Sequence, residues 1–148
     1  MIGENILTID VEDIYFLTGL SRRGDAVQLT GTWASDRTVE DMVAWYCIAS
    51  SCPSRGKILI RYVVICPLRT ILLTITRVVG SQAPHTATQT QMLYAEDCMS
   101  PMVFNWCEGL LANIRAQLTK CRCGELKQFG YGSIIVSFLL EQVPLLHL

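Results

Sequence analysis

The chain has 148 residues, 51% hydrophobic and only 17% charged, with a formal net charge of −1. That fits one domain, residues 1–148, with a real core, and the apolar excess points to a fragment lacking its covering segments or to association with other chains. Seven cysteines at no regular spacing, behind a start with neither a basic cluster nor an apolar run, exclude a secreted disulfide framework and place the expected protein in the nucleus or cytoplasm.

The first helix is expected over residues 10–20. Thr8 or Asp10 suits the cap, and Glu12 and Asp13 suit the positive helix start. Val11, Ile14, Leu17 and Phe16 supply the buried stripe, and Gly19 supplies a left-handed stop. Residues 8–22 resemble the first helix and turn of a helix-turn-helix. A recognition helix after them would carry Gly24 in its first turn and meet Gly31 soon afterwards, so a loop is expected instead. Arg22 and Arg23 in that loop are candidate phosphate contacts.

A second helix is expected over 38–49, capped by Asp36 or Thr38, with Val39, Met42, Val43 and Tyr46 on one face. Residues 50–56, "SSCPSRG", read as a linker. Residues 58–79 are apolar enough to suggest a membrane span, but Arg61, Arg69 and Arg77 recur every eight residues and Pro67 breaks the middle. Their β-branched content favours strands, whereas their length favours two buried helices, which is the expectation adopted. Residues 80–91 read as a polar loop or a solvent-facing helix start. Ser100 and Pro101 then begin a helix whose face is Val103, Cys107, Leu110, Leu111, Ile114 and Leu118, ending at Gly124 behind Lys120 and Arg122. A last apolar element spans 133–143, closed by Pro144, and the apolar end "VPLLHL" points to truncation or an interface at the C-terminus. The fold class is therefore mainly α, an irregular bundle of about five to seven helices.

The small net charge hides an asymmetry. Residues 1–41 hold eight acids and three bases, whereas residues 42–95 hold no acid and five bases: Arg55, Lys57, Arg61, Arg69 and Arg77. Either the basic middle is neutralised by the acidic front, or it forms a face for an anionic partner. Arg55, Lys57 and Arg61, with Arg22 and Arg23, are the candidate nucleic-acid contacts.

No catalytic, metal or cofactor site is expected. Cys47 and Cys52 with Cys121 and Cys123 give C-x4-C and C-x-C, not the paired short knuckles of structural zinc. His85 and His147 lie far from both pairs in sequence. "GYGSII" lacks the third glycine of a phosphate loop and reads as a turn into a buried helix. Cys98 and Cys107 have no nearby histidine. Trp33, Trp45 and Trp106 are read as core anchors rather than base-stacking platforms.

The opening block "TIDVEDIYFLTGLSRRGDAVQLTG" resembles the start of the plant mobile domain, in which a Thr, an acidic-apolar helix, L-x-G-L, a glycine loop and V-x-x-x-G recur together. The blocks "PLRTILLTITRVVGSQAPHTATQTQMLYAEDCMSP", "VFNWCEGLLANIRAQLTKC" and "GELKQFGYGSIIVSFLLEQVPLL" resemble proteins encoded in plant transposable elements. The resemblance implies a largely helical, non-enzymatic domain, here a fragment, of the kind found in transposons and in nuclear proteins of silencing and genome maintenance. It would act through protein or nucleic-acid contacts, with self-association through apolar surface and no membrane. The alternatives are a small enzyme with a site assembled from distant Cys, His and acidic residues, and a structural remnant without activity.

Overall fold

The computed structural model describes residues 7–28, 38–47, 58–79, 86–100, 102–125 and 129–142. Six α-helices and four two-residue strands lie among them, so the fold is mainly α, as expected. The chain forms two compact units: Met1–Val27 with Phe104–Leu148, and Gln28–Val103.

The first unit opens with α1, Val11–Thr18. Asp10 and Asp13 close a reciprocal cap: Asp13 N–H donates to Asp10 Oδ1 at 3.0 Å, and Asp10 N–H donates to Asp13 Oδ2 at 2.9 Å. Both amides would otherwise lack a helical partner. Gly19 ends the helix at φ 70°, a left-handed conformation that costs glycine nothing. No recognition helix comes next. The chain runs instead into β1, Asp25–Ala26, which pairs in parallel with β4, Phe104–Asn105. Helix α5, Trp106–Arg122, starts directly after β4 and packs on α1; α6, Gly132–Gln142, also packs on α1. Cys107 ties the start of α5 to the loop after α1: its N–H donates to Ser21 O and its Sγ–H to Leu20 O, each at 3.0 Å.

Ile14, Val27, Phe104, Cys107, Leu110, Leu111, Ile114, Tyr131 and Phe138 form the core of this unit. Several positions depart from expectation, among them Leu118, expected on the buried face of α5 but 42% exposed. Phe16 is 80% exposed, because it lies across α1 from the buried Ile14. Ser100 and Pro101 do not begin α5: Asn105 caps it, accepting from Glu108 N–H at 3.1 Å, so Val103 precedes the helix and is exposed. Pro101 lies outside the described residues. The last helix is not buried: Phe138 is its one fully buried side chain among the described residues.

In the second unit, α2 spans Val39–Tyr46 behind a Thr38–Asp41 capping box and buries Val39, Met42 and Val43. The expected pair of helices over 58–79 is one helix. Ile58–Leu59 (β2) pairs antiparallel with Thr86–Ala87 (β3), a 3-10 turn comes next at Ile60–Tyr62, and α3 covers Cys66–Thr74 before widening into a π turn at Ile75–Val79. Pro67 starts α3 rather than breaking it, because the amide it lacks has no helical partner in a first turn. The buried Thr76 hydroxyl donates to Leu72 O at 2.9 Å and Leu73 O at 3.2 Å where the coil widens. Leu68, Leu72, Ile75 and Val79 form one buried stripe, each side chain worth about 1.5–3 kcal/mol in transfer from water.

The polar stretch before residue 100 also folds differently from expectation. Helix α4 spans Gln89–Met99, capped by a Thr88–Gln91 box, and packs on α3 with Thr90 through Ala95 buried. Its start faces the interior, not solvent. The breaker 50–56, Asp36, Gly31 and Pro144 lie outside the described residues.

The first unit is testable at two points. A Cβ on Gly109 would come within 2.9 Å of Val27 Cβ and Cγ1, whereas one on Gly132 meets nothing. Gly109→Ala should therefore cost about 1–3 kcal/mol in urea unfolding, and Gly132→Ala should be neutral or slightly stabilising. Burial pushes the Tyr131 hydroxyl up to about 12, against a smaller opposing hydrogen bond with Asn113. The native state then holds a proton that the unfolded chain releases near pH 10. Stability should fall from about pH 10 to pH 12, and Tyr131→Phe should remove about 2–3 kcal/mol of that fall in alkaline denaturation series.

Candidate nucleic-acid interface

A guanidinium is buried only when it is paired and hydrogen-bonded. The segment that carries Arg61, Arg69 and Arg77 contains no carboxylate until Glu96. Each guanidinium therefore needs either a distant partner or water, and all three take water. They are exposed, and none forms an ion pair with a described residue. Neutralisation by acidic side chains, the competing expectation, is not what these three do among the described residues.

Local structure explains each position. Arg69 and Arg77 flank the buried stripe of α3 and its π turn, pointing away from Leu68, Leu72, Ile75 and Val79. Arg61 stands on the 3-10 turn with its guanidinium over the Tyr62 ring, 4.9 Å from the centroid. A bridge between Cys47 and Val63, and a hydrogen bond from Val64 N–H to Tyr46 O at 3.0 Å, join the end of α2 to the two residues that follow this turn.

The other candidates separate. Arg22 and Arg23 belong to the first unit. Arg22 is ion-paired with Glu12 and stacked 4.6 Å over the Tyr15 ring, so its charge is locally engaged; Arg23 is exposed on the loop. Arg55 and Lys57 lie outside the described residues.

Trp45, expected in the core, is 66% exposed. The stripe of α2 is Val39, Met42, Val43 and Tyr46, and residue 45 lies on the flank of that wheel, so the spacing itself carries the signal. Trp106 is half-buried, and Trp33 lies outside the described residues.

The enzyme alternative calls on histidines that the described residues do not include. His85, His147 and Cys52 lie outside them, and no group of three His, Cys, Asp or Glu among the described residues is placed to hold a metal ion. Burial pushes the thiols of Cys47, Cys98 and Cys107 up, with Asp97 adding to the shift at Cys98 and Arg22 opposing it at Cys107. These thiols stay protonated at neutral pH, the less nucleophilic form. In the first unit a cleft of about 380 Å³ is lined by Asp13, Phe16, Leu17, Phe138, Glu141 and Gln142, with neither cysteine nor histidine.

No family model, curated protein or solved structure matches the chain. No helix among the described residues is long and apolar enough to cross a membrane.

Thiol labelling tests this geometry. Cys66 and Cys123 are exposed, and Cys107 is fully buried. Alkylation at pH 7.5, mapped by mass spectrometry, should modify Cys66 and Cys123 at the rate of a free peptide thiol. Cys107 should react only as fast as the unit opens, at least about tenfold more slowly.

Proposed function

We propose that this chain is a non-enzymatic helical domain that acts by binding nucleic acid through its second unit. One observation carries the reading: Arg61, Arg69 and Arg77 are exposed, without ion pairs to any described residue, in a stretch that has no acid from residue 42 to residue 95. Three such guanidiniums on one small unit attract phosphates, and the counterions they displace supply the free energy of binding. A guanidinium also offers paired N–H donors that match phosphate oxygens.

The likeness of the opening block to the plant mobile domain supports a transposon origin and a nuclear setting, in which nucleic acid is the commonest polyanion. Protein contacts are the companion possibility in that reading, served by exposed apolar side chains such as Phe16, Val136 and Leu140 in the first unit. The exposed positive charge favours nucleic acid as the principal partner.

Fluorescence anisotropy with a labelled DNA, offered as single strand and as duplex in a salt series, tests the proposal. Binding should appear at low salt and weaken steeply as salt rises. The triple variant Arg61→Ala, Arg69→Ala, Arg77→Ala should flatten the log–log salt slope by about 2 to 3. Failure of both forms to bind at low salt would remove the proposal.

A further inference from the structure

We infer that the groove between α1 and α6 takes the arginine-bearing side of α3 from a second copy of this chain, so that copies associate head to tail. This contact goes beyond the nucleic-acid reading above and stands without it, although both use Arg69 and Arg77.

The groove is built from matching sides of two helices. Asp13, Phe16 and Leu17 stand at i, i+3 and i+4 on α1, and Phe138, Glu141 and Gln142 repeat that spacing on α6, so each trio shares one side of its helix. The cleft they line holds about 380 Å³. Ligand pockets run from about 300 to 1,000 Å³, so this one has room for a few side chains rather than a whole element. Phe138 is buried and Leu17 half-buried, whereas Phe16 stands in water. Each helix adds a carboxylate. Asp13 accepts from the Asp10 N–H through Oδ2 alone, and Glu141 forms no ion pair with a described residue. Neither helix contains a base, and Arg22, which follows α1, is engaged by Glu12. Two carboxylates beside apolar side chains suit a cation on an apolar stem, which is what an arginine side chain is, and the exposed Phe16 ring attracts a guanidinium further.

The second unit supplies that chemistry. Helix α3 and its π turn hold bases and no acid, the reverse of α1 and α6. Arg69 and Arg77 are exposed without ion pairs to described residues, about 12 Å apart along the helix axis. Val78, 38% exposed, and the half-buried Leu73 lie in the same stretch. Charge and polarity therefore match across the contact: carboxylates with apolar side chains on one unit, guanidiniums with apolar neighbours on the other. The two surfaces differ, so the contact between copies is heterologous, and each copy keeps one free groove and one free α3 for the next. A chain with 51% hydrophobic and 17% charged residues is suited to having surface covered by other copies. The competing occupants are a cationic segment of a different protein and the groove of a second copy in a symmetric pair.

Sedimentation velocity of the full chain, nuclease-treated and kept reduced, tests this across protein concentration and salt. Circular dichroism checks that each variant keeps its helix content. The wild-type chain should associate at low salt and come apart as salt rises. A groove variant, Phe16→Ser with Glu141→Gln, and a helix variant, Arg69→Ala with Arg77→Ala, should each weaken association by about tenfold or more. An equal mixture of the two should form a dimer and stop there, because the intact groove of one variant meets the intact α3 of the other and no second contact is left. The groove variant keeps every arginine, so its behaviour towards DNA should equal that of the wild-type chain, which separates this contact from the nucleic-acid reading. A wild-type chain that stays monomeric at low salt would overturn the inference and leave the groove to a cationic segment of another protein. Association unchanged in either variant, or a mixture that stays monomeric, would also overturn it. Loss confined to the groove variant would assign a symmetric groove-to-groove pair instead.

Discussion

A guanidinium without a carboxylate does not go into an apolar core, and this constraint organises the second unit. Residues 58–79 are almost wholly aliphatic apart from three arginines and a few threonines, so most rotations of the segment would bury something useful. The one observed keeps the charges of α3 and its π turn, Arg69 and Arg77, in water. That rotation puts Leu68, Leu72, Ile75 and Val79 inward, with α3 packed on α4, and leaves Arg69 and Arg77 outward. The core stripe and the basic surface are thus one fact seen from two sides. The π turn is compatible with this arrangement, since Thr76 faces inward and donates its hydroxyl to the carbonyls of Leu72 and Leu73.

The first unit obeys a tighter steric rule. Val27 sits so close to α5 that only a glycine fits opposite it, at Gly109. The parallel pairing of Asp25–Ala26 with Phe104–Asn105 and the two bonds from Cys107 hold the approach in place. Segments from the two ends of the chain are brought together there, so the unit closes only when both are present. Its outer surface is less finished. Phe16, Val136 and Leu140 remain in water, which agrees with the apolar excess of the composition.

Much of this is legible from residues whose physics is local. Asp10 and Gly19 mark the ends of α1, Thr38 opens α2, and Gly124 follows α5 at φ 75°, each where cap chemistry places it. The stripe of α2 and the middle of that of α5, Cys107, Leu110, Leu111 and Ile114, are legible for the same reason, since a half-buried helix must repeat its apolar residues, whereas Leu118 at its far end is exposed. The misreadings are equally physical. Helix α4 is buried over most of its length and has no stripe, so periodicity passes over it, although Thr88 and Gln91 stand at capping-box spacing. Pro67 reads as a breaker in a one-dimensional pattern because its cost depends on position, and at the start of a helix that cost vanishes. Ile58–Leu59 forms a strand because Thr86–Ala87 is available to pair, a long-range fact. At the candidate interface the basic character is legible, and the exposure of Trp45 is legible only from its place on the wheel, against the core that tryptophan's bulk suggests.

Function, on this view, rests on charge that has to stay outside. All of it depends on Arg61, Arg69 and Arg77 standing in water in the folded chain. Arginine-specific modification by a dicarbonyl reagent, read by mass spectrometry in native buffer and in urea, measures this directly. These three should react nearly as fast in the folded protein as in the unfolded one, while Arg22, held by Glu12 and Tyr15, is slowed. Protection of Arg61, Arg69 and Arg77 in the native state would contradict it.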